Sequence, residues 1–582
     1  MKLFKKMLVF VLALVMVLPV IGCGGQTANT TVIEAFIWDG GYGTEWFYES
    51  AKRFEESVAT KEYIAGKPGV KIEISKSKSS DASTMNSSGI DVYVNNDTSS
   101  AKALANKGWL ANLTEIVTVK DEDRNGTLVS IEDKIDPEFR SLLKGNDGNY
   151  YALPFANTLS GLTYDRELFD AMNLYIADPV SKGVNTVDDV VEHTAFGTTV
   201  NFVFDKNVKK SCGSDGTYGT YDDGLPTSIT ELLVLCDYIK VLDASVAPFH
   251  FTGANPGYSR ILADAIAGGL SRVESAKVSR YFTGKTTYVT GYSSESIFPE
   301  INYIKKPTTE TVDIDETNGY LTTRTKNAYY GYAFMEIAYR EGWFSDDANN
   351  SNASHLDAQS HFLCSGLEGI QKSAMFIEGS YWFTEAKENG KLDTYKLLSG
   401  GKSAYDRDLR WMPLPVTIDT VINEGEGVSR YTTVSARKDF VYMNANALKK
   451  EGTAEACLDF IKFMHSDSEL VNFTASTGLM KSAMDYDFTA EDVAKLSSFQ
   501  QSVLEMRKDL EVVVLGTGHE IFENNFETFT QRTFFPSLEN RRYNSALQAL
   551  KAKNKDGEYF GTKDIFEAIA YSESDWAKFC AN

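Results

Sequence analysis

Histidine, cysteine and proline are scarce: the 582 residues hold 6 His, 6 Cys and 13 Pro. The histidines are scattered without metal-ligand spacing, and the chain has no His-Glu-x-x-His, Cys-x-x-Cys, Gly-x-Ser-x-Gly or Gly-x-Gly-x-x-Gly. Gly401-Lys402-Ser403 resembles the end of a phosphate loop, but Lys396 stands where the loop's first glycine is needed. Positive charge is short as well. Against 80 Asp+Glu there are 58 Lys+Arg, a net charge of −22, which argues against nucleic acid or an anionic lipid surface as partner. Beyond the first residues no apolar run is long enough to span a bilayer. Repeats and low-complexity tracts are missing too.

What is present begins with Lys2, Lys5 and Lys6, followed by an apolar run from Met7 to Ile21. The run is short for a membrane span and suits a signal-peptide core, so residues 1–22 are expected to be a signal peptide. Val20-Ile21-Gly22-Cys23 resembles the lipobox of bacterial lipoproteins. That resemblance implies acylation of Cys23, palmitate included, with residues 23–30 as a small polar tether and the chain held at the extracellular face of the bacterial cell membrane. An ordinary secretory signal with an incidental cysteine is the alternative. Removing residues 1–22 takes away three lysines and leaves 55 Lys+Arg against 80 Asp+Glu, a charge of about −25. Cys212, Cys236, Cys364, Cys457 and Cys580 remain. An odd number cannot all pair, so they are read as small core residues with one pair possible.

The mature chain opens with Thr31 to Trp38, a β-branched and aromatic strand, and the glycine-rich turn Asp39 to Gly43. Phe47, Ala51, Phe54 and Val58 follow at helical spacing behind Thr44. Val70 to Ile74 and Ile90 to Val94 are further strands, and Ser99 caps a short helix ending at Gly108. This order predicts an α/β layer with a mostly parallel sheet, whose ligands sit at the carboxyl ends of strands. Tyr150 to Asp165 is apolar and broken only by Pro154, which predicts two strands passing from one sheet to another. Helices are expected over Glu231 to Lys240, Tyr258 to Gly268 and Asn327 to Glu341, and mostly amphipathic helix from Ser497 onward.

Several segments then resemble, in order, the extracellular solute-binding proteins of sugar-type ABC importers, the maltose-binding-protein-like group. They are Gly89-Ile90-Asp91-Val92, Gly108-Trp109-Leu110-Ala111-Asn112-Leu113-Thr114, Tyr151-Ala152-Leu153-Pro154 with Gly161 to Phe169, Gln371 to Trp382, and Ala454 to Gly478. The resemblance implies a type II periplasmic-binding-protein-like fold of two α/β lobes joined by a multi-strand hinge. Lobe 1 is expected over 31–155 and 413–465, and lobe 2 over 156–412 and 466–582, with an insertion at about 165–228. Crossings are expected at Pro154, at Trp411 to Pro415 and after Phe463. The implied function is capture of a carbohydrate, an oligosaccharide, between the lobes, with delivery to the transmembrane subunits of an ABC permease by hinge closure and the protein acting as a monomer.

A sugar needs aromatic faces for its C–H surface and carboxylates or amides for its hydroxyls. Position selects the candidates: Trp38, Asp39 and Tyr42 at the end of the first strand, Asn95 and Asn96 at the end of the third, and Asn157 and Thr158 after Pro154. Tyr258, Tyr381 and Trp382 match aromatic positions of the resembled family. Each has the plainer reading of a buried or rim residue. Asp121, Asp123, Asn125, Thr127 and Glu132 fit a calcium loop, D-x-[DN]-x-[DN]-G-x5-E, and are expected to hold a structural Ca²⁺, with an acidic polar loop as the alternative. No catalytic set emerges. A glycoside hydrolase using Asp222 or Asp223 with a distant Glu, and a surface carbohydrate-binding adhesin, are the competing functions.

Overall fold

The computed structural model describes residues 29–41, 43–77, 82–96, 101–156, 159–255, 257–412, 431–435, 439–481, 483–509, 511–515, 518–519, 521–522, 525, 528, 531–532 and 535–581. The signal peptide, Cys23, most of the tether, Tyr42, Asn157, Thr158 and Pro413 to Pro415 lie outside them. Two main sheets use, in chain order, β1 (Thr31–Trp38), β2 (Val70–Ser77), β3 (Val92–Asn96), β4 (Leu153–Pro154), β5 (Ser160–Asp165), β6 (Ala247–His250), β7 (Ser373–Gly379), β8 (Leu409–Met412) and β9 (Asp439–Met443). The helices that matter below are α1 (Glu45–Ser57), α2 (Tyr258–Tyr281), α3 (Lys326–Arg340), α4 (His355–Leu363), α5 (Trp382–Glu388) and α6 (Thr453–Phe463). The chain divides into two compact units, Met1–Asp39 with Thr44–Phe155 and Lys438–Asn472, and Gly40–Gly43 with Ala156–Arg437 and Phe473–Asn582.

The first unit holds a five-stranded sheet in the order β2-β1-β3-β9-β4. β1 pairs in parallel with β2 and β3, and β9 runs antiparallel to β3 and β4. In β1 the residues Ile33, Ala35 and Ile37 are fully buried while their neighbours are half-buried, the alternation of a strand with one face in the core and the other partly covered. α1 buries Trp46, Phe47, Ala51 and Phe54, the stripe its spacing predicts, while Val58 falls just past its end. Phe54 meets Phe460 of α6 with ring centroids 5.1 Å apart. Each such ring contributes about 1.5–3 kcal/mol by leaving water.

The second unit holds a four-stranded sheet in the order β6-β7-β5-β8, with β6 and β7 parallel and β5 antiparallel to both β7 and β8. α2 is longer than expected and runs through Gly268 to Tyr281. An interior glycine costs a helix only about 1 kcal/mol, and packing overrides it. Part of that packing is close contact with α3, where a Cβ on Gly331 would lie 2.4 Å from the Ala263 carbonyl oxygen. The region 165–228 contains a hairpin, Val190–Ala195 with Thr198–Val203, and a loop ordered by buried Asp222. That carboxylate accepts from the Asp215 backbone N–H and the Thr220 hydroxyl. Asp222 is thus tied into its own loop. The expectation of helix after Ser497 fails at Glu511–Leu515, a strand parallel to Tyr431–Ser435, because Val512, Val513 and Val514 favour extended backbone. The long hairpin Gly284–Ser296 with Lys305–Ile314 was not anticipated either.

β4 belongs to the first unit's sheet and β5 to the second's, so the chain changes sheets just after Pro154. The Pro154 carbonyl accepts from His465 Nε2 at 3.2 Å. The later divisions fall at Arg437/Lys438 and at Asn472/Phe473, inside the helix Asp467–Thr477. All five described cysteines are free, and Cys236, Cys364 and Cys457 are buried. No described helix is long and apolar enough to cross a membrane.

Candidate functional site

In the second unit the carboxyl ends of parallel strands β6 and β7 carry a cluster of polar side chains, where an α/β sheet places its ligands. β7, Ser-Ala-Met-Phe-Ile-Glu-Gly, is buried along its whole length, and Glu378 is only 1% exposed. Glu378 Oε1 accepts the Gly379 backbone N–H at 3.0 Å, while Oε2 is buried and closes no hydrogen bond of standard geometry. Burial pushes this carboxyl up to about 8, and the neighbouring Glu385 adds to the shift. Tyr381 and Gln359 oppose it weakly.

Tyr381 folds back over the end of β7. A Cβ on Gly379 would meet the Tyr381 ring at 2.5 Å, so this position must be glycine for the ring to lie there. Gly41, in the turn after β1, also approaches: a Cβ on it would sit 3.1 Å from both the Tyr381 ring and Glu385 Oε1. Tyr258, in the first turn of α2, places its hydroxyl 3.0 Å from that of Tyr381. Burial raises both phenols, Glu378 raises them further, and they stay neutral. α4 begins with a Ser354–Asp357 capping box and brings His355 and Gln359 onto one face, four residues apart. Gln359 Nε2 donates to Glu385 Oε2 at 2.6 Å. Asn255 Nδ2 donates to His355 Nδ1 at 3.2 Å, which leaves the ring proton on Nε2, facing Glu385 Oε1 at 3.5 Å. The result is two half-buried phenol rings beside two carboxylates and an amide, able to stack on an apolar ring face and to accept several hydrogen bonds.

The first unit presents a second, smaller set at the ends of β1 and β3. Trp38 and Asp39 are half-buried, and Asp39 Oδ2 lies 3.7 Å from Lys76 Nζ. Asn95 is 2% exposed with a buried, unbonded Oδ1, and Asn96 beside it is half-buried. An unbonded amide oxygen in such a place is costly unless a ligand or water meets it.

Of the residues singled out from the sequence, Tyr258 and Tyr381 come together. Trp382 does not join them. Its indole is fully buried among Phe362, Phe376, Phe383 and Phe499 and donates to Thr163 Oγ1 at 2.9 Å, so no ring face is left for a ligand. Its position one residue into α5 turns it inward, while Tyr381 stays at the helix entrance. The expected calcium ligands are not gathered either. Lys120–Glu122 and Leu128–Ser130 form a hairpin, Asp121 pairs with Lys462 at 2.7 Å, and Asp123 Oδ1 accepts the Asn125 and Thr127 N–H groups. Glu132 accepts from the Tyr150 hydroxyl at 2.6 Å. Among the described residues no three His, Cys, Asp or Glu side chains form a metal-holding group. Glu378, Glu385, Gln359 and His355 were missed. An acid within an otherwise apolar buried strand was the available signal for Glu378. The other three carry no such mark, because only the fold brings α4 and α5 to the end of β7.

Residues 40–233 match the family of bacterial extracellular solute-binding proteins, which bears out the family resemblance. No curated protein matches the chain. Among solved structures, a chitin oligosaccharide binding protein aligns with a TM-score of 0.53 at 11% identity, over 95% of this chain and 100% of the other. A probable secreted solute-binding lipoprotein from Streptomyces coelicolor gives 0.50 at 14% identity, over 94% and 98%. Maltose-bound T. maritima MalE3 gives 0.50 at 13% identity, over 93% and 98%. These likenesses show the fold, that of the two-lobed type II binding proteins.

Proposed function

Taking the bacterial extracellular solute-binding family as premise, we propose that this chain is the substrate-binding subunit of an ABC importer for a carbohydrate, an oligosaccharide. The observation that carries the reading is the Tyr258–Tyr381 pair standing beside Glu378 and Glu385 at the carboxyl ends of two parallel strands. Paired rings suit the C–H face of a pyranose, and carboxylates with an amide suit its hydroxyls. The names of the chitin-oligosaccharide and maltose-bound relatives point the same way. The protein binds and releases its ligand without altering it. It is anchored through acylated Cys23 at the extracellular face of the membrane, acts as a monomer and hands its ligand to the permease by closing on it.

Purified protein mixed with a panel of oligosaccharides is expected to melt at a higher temperature with at least one of them, by mass action. A panel that produces no shift and no calorimetric heat overturns the reading. A hydrolase reading has one observation in its favour: Glu378, pushed up to about 8, lies beside a second carboxylate, the pairing a glycosidase uses. Reducing ends released in the same mixtures would select it.

A further inference from the structure

Of the other buried carboxylates, Asp91, Asp165, Asp178, Glu336 and Glu469 each meet a cation, Lys450 at 2.6 Å, Arg407 at 2.6 Å, Lys182 at 3.0 Å, Arg340 at 2.6 Å and Arg53 at 2.7 Å, while Asp222 is held by the Asp215 N–H and the Thr220 hydroxyl within its own loop. A buried carboxylate without a cation or a set of donors is expensive, and each of these six has one or the other. Glu378 departs from that pattern. Among the described residues neither it nor Glu385 pairs with a lysine or arginine. The groups facing Glu378 are Glu385 from α5, Tyr381 beside it, Tyr258 from α2 and Gln359 from α4, with His355 beyond Glu385. Glu378 Oε2 and Gln359 Oε1 are buried and close no hydrogen bond of standard geometry, with Tyr381, Tyr258 and the Gln359 amide the donors nearest Glu378. The site has acceptor oxygens to spare, and among the described residues the only basic side chain facing it is His355.

We propose that the ligand carries a primary amine, an amino-bearing saccharide if the carbohydrate reading above holds, and that its ammonium takes the place beside Glu378 which lysine or arginine fills at the five paired carboxylates. An ammonium offers three donors and a full charge, and the rings of Tyr258 and Tyr381 add cation–π attraction at its side. Binding then holds Glu378 in its charged form and expels the proton that burial keeps on it.

The test is calorimetry with glucosamine oligosaccharides, their N-acetylated and plain glucose counterparts, and spermidine, each run at pH 7 in two buffers of different ionisation heat. The glucosamine series is expected to bind at least tenfold more tightly than both neutral series and to release about one proton per ligand. Glu378→Gln should abolish both the preference and the proton release. If that variant does not fold, the proton count on the unaltered protein decides alone. Neutral oligosaccharides binding as well as the amines, with no proton released, overturn the inference and leave the carbohydrate reading standing. Spermidine binding where every saccharide fails keeps the amine and removes the sugar. No binding by any probe overturns both.

Discussion

Glu469, in the first unit, and Glu378, in the second, are both carboxylates sealed from water, and they are treated in opposite ways. Glu469 is 4% exposed and takes four hydrogen bonds: Arg53 Nε at 2.7 Å, Arg53 Nη2 at 2.9 Å, Ser50 Oγ at 2.7 Å and Asn472 Nδ2 at 2.9 Å. It ties α1 to the helix at Asp467–Thr477 and has no capacity left. Glu378 takes one backbone N–H, and its Oε2 closes no hydrogen bond of standard geometry. The first arrangement is what stability requires of a buried charge, and the second is what remains when some partner comes from outside. On the reading proposed above, the difference separates a structural acid from a binding acid.

The comparison breaks most sharply on substitution. Glu469→Gln should cost roughly 2–3 kcal/mol in urea unfolding, because it removes the charge Arg53 and Ser50 are arranged around. Glu378→Gln, assayed at pH 8.5, should cost nothing or add stability, since the amide matches the neutral acid that burial favours. Equal losses in the two variants would erase the distinction.

A second expectation concerns pH. The Glu378 pKa is raised by folding, from the ordinary 4.5 to about 8. Between those values the folded state holds a proton that the unfolded state has released. The contribution of Glu378 to stability is therefore fully present below about pH 4.5 and is lost as pH climbs to 8, on the order of a few kcal/mol in all. Glu378→Gln should flatten that part of the stability–pH curve relative to the unaltered protein, and superimposable curves would contradict the assignment. The smallest effect is expected at the acidic hairpin 120–130. With Asp121, Asp123 and Glu132 each engaged elsewhere, EDTA and added calcium should shift the melting temperature by less than about 1 °C, checked by calorimetry.

How far the chain could be read before folding follows the same division. The first unit was legible because its signals are local. Ile33, Ala35 and Ile37 alternate along β1, Phe47 and Phe54 recur at helical spacing, and Pro154 marks the end of a strand. Asp39 and Asn95 were singled out by strand order alone. In the second unit the site draws on α2, α4, α5 and β7, elements up to more than a hundred residues apart, and no short motif joins Tyr258 to Gln359 or Glu385. Trp382 illustrates the limit. One residue separates it from Tyr381, and a turn of helix sends one ring into the core and leaves the other at the site. The calcium pattern shows another limit of local reading: every position matched, but the loop forms a hairpin whose oxygens meet backbone N–H groups, Lys462 and Tyr150.

The central claim is that a saccharide is held at the Tyr258–Tyr381 face of the second unit. Calorimetric titration of the protein and of its Tyr381→Ala variant with whichever oligosaccharide raises the melting temperature tests it most directly. The account predicts one saturable site in the unaltered protein and at least about tenfold weaker binding in the variant, as loss of a stacking ring implies, with the fold confirmed by an unchanged far-ultraviolet spectrum. Undiminished affinity in a folded Tyr381→Ala protein would contradict it.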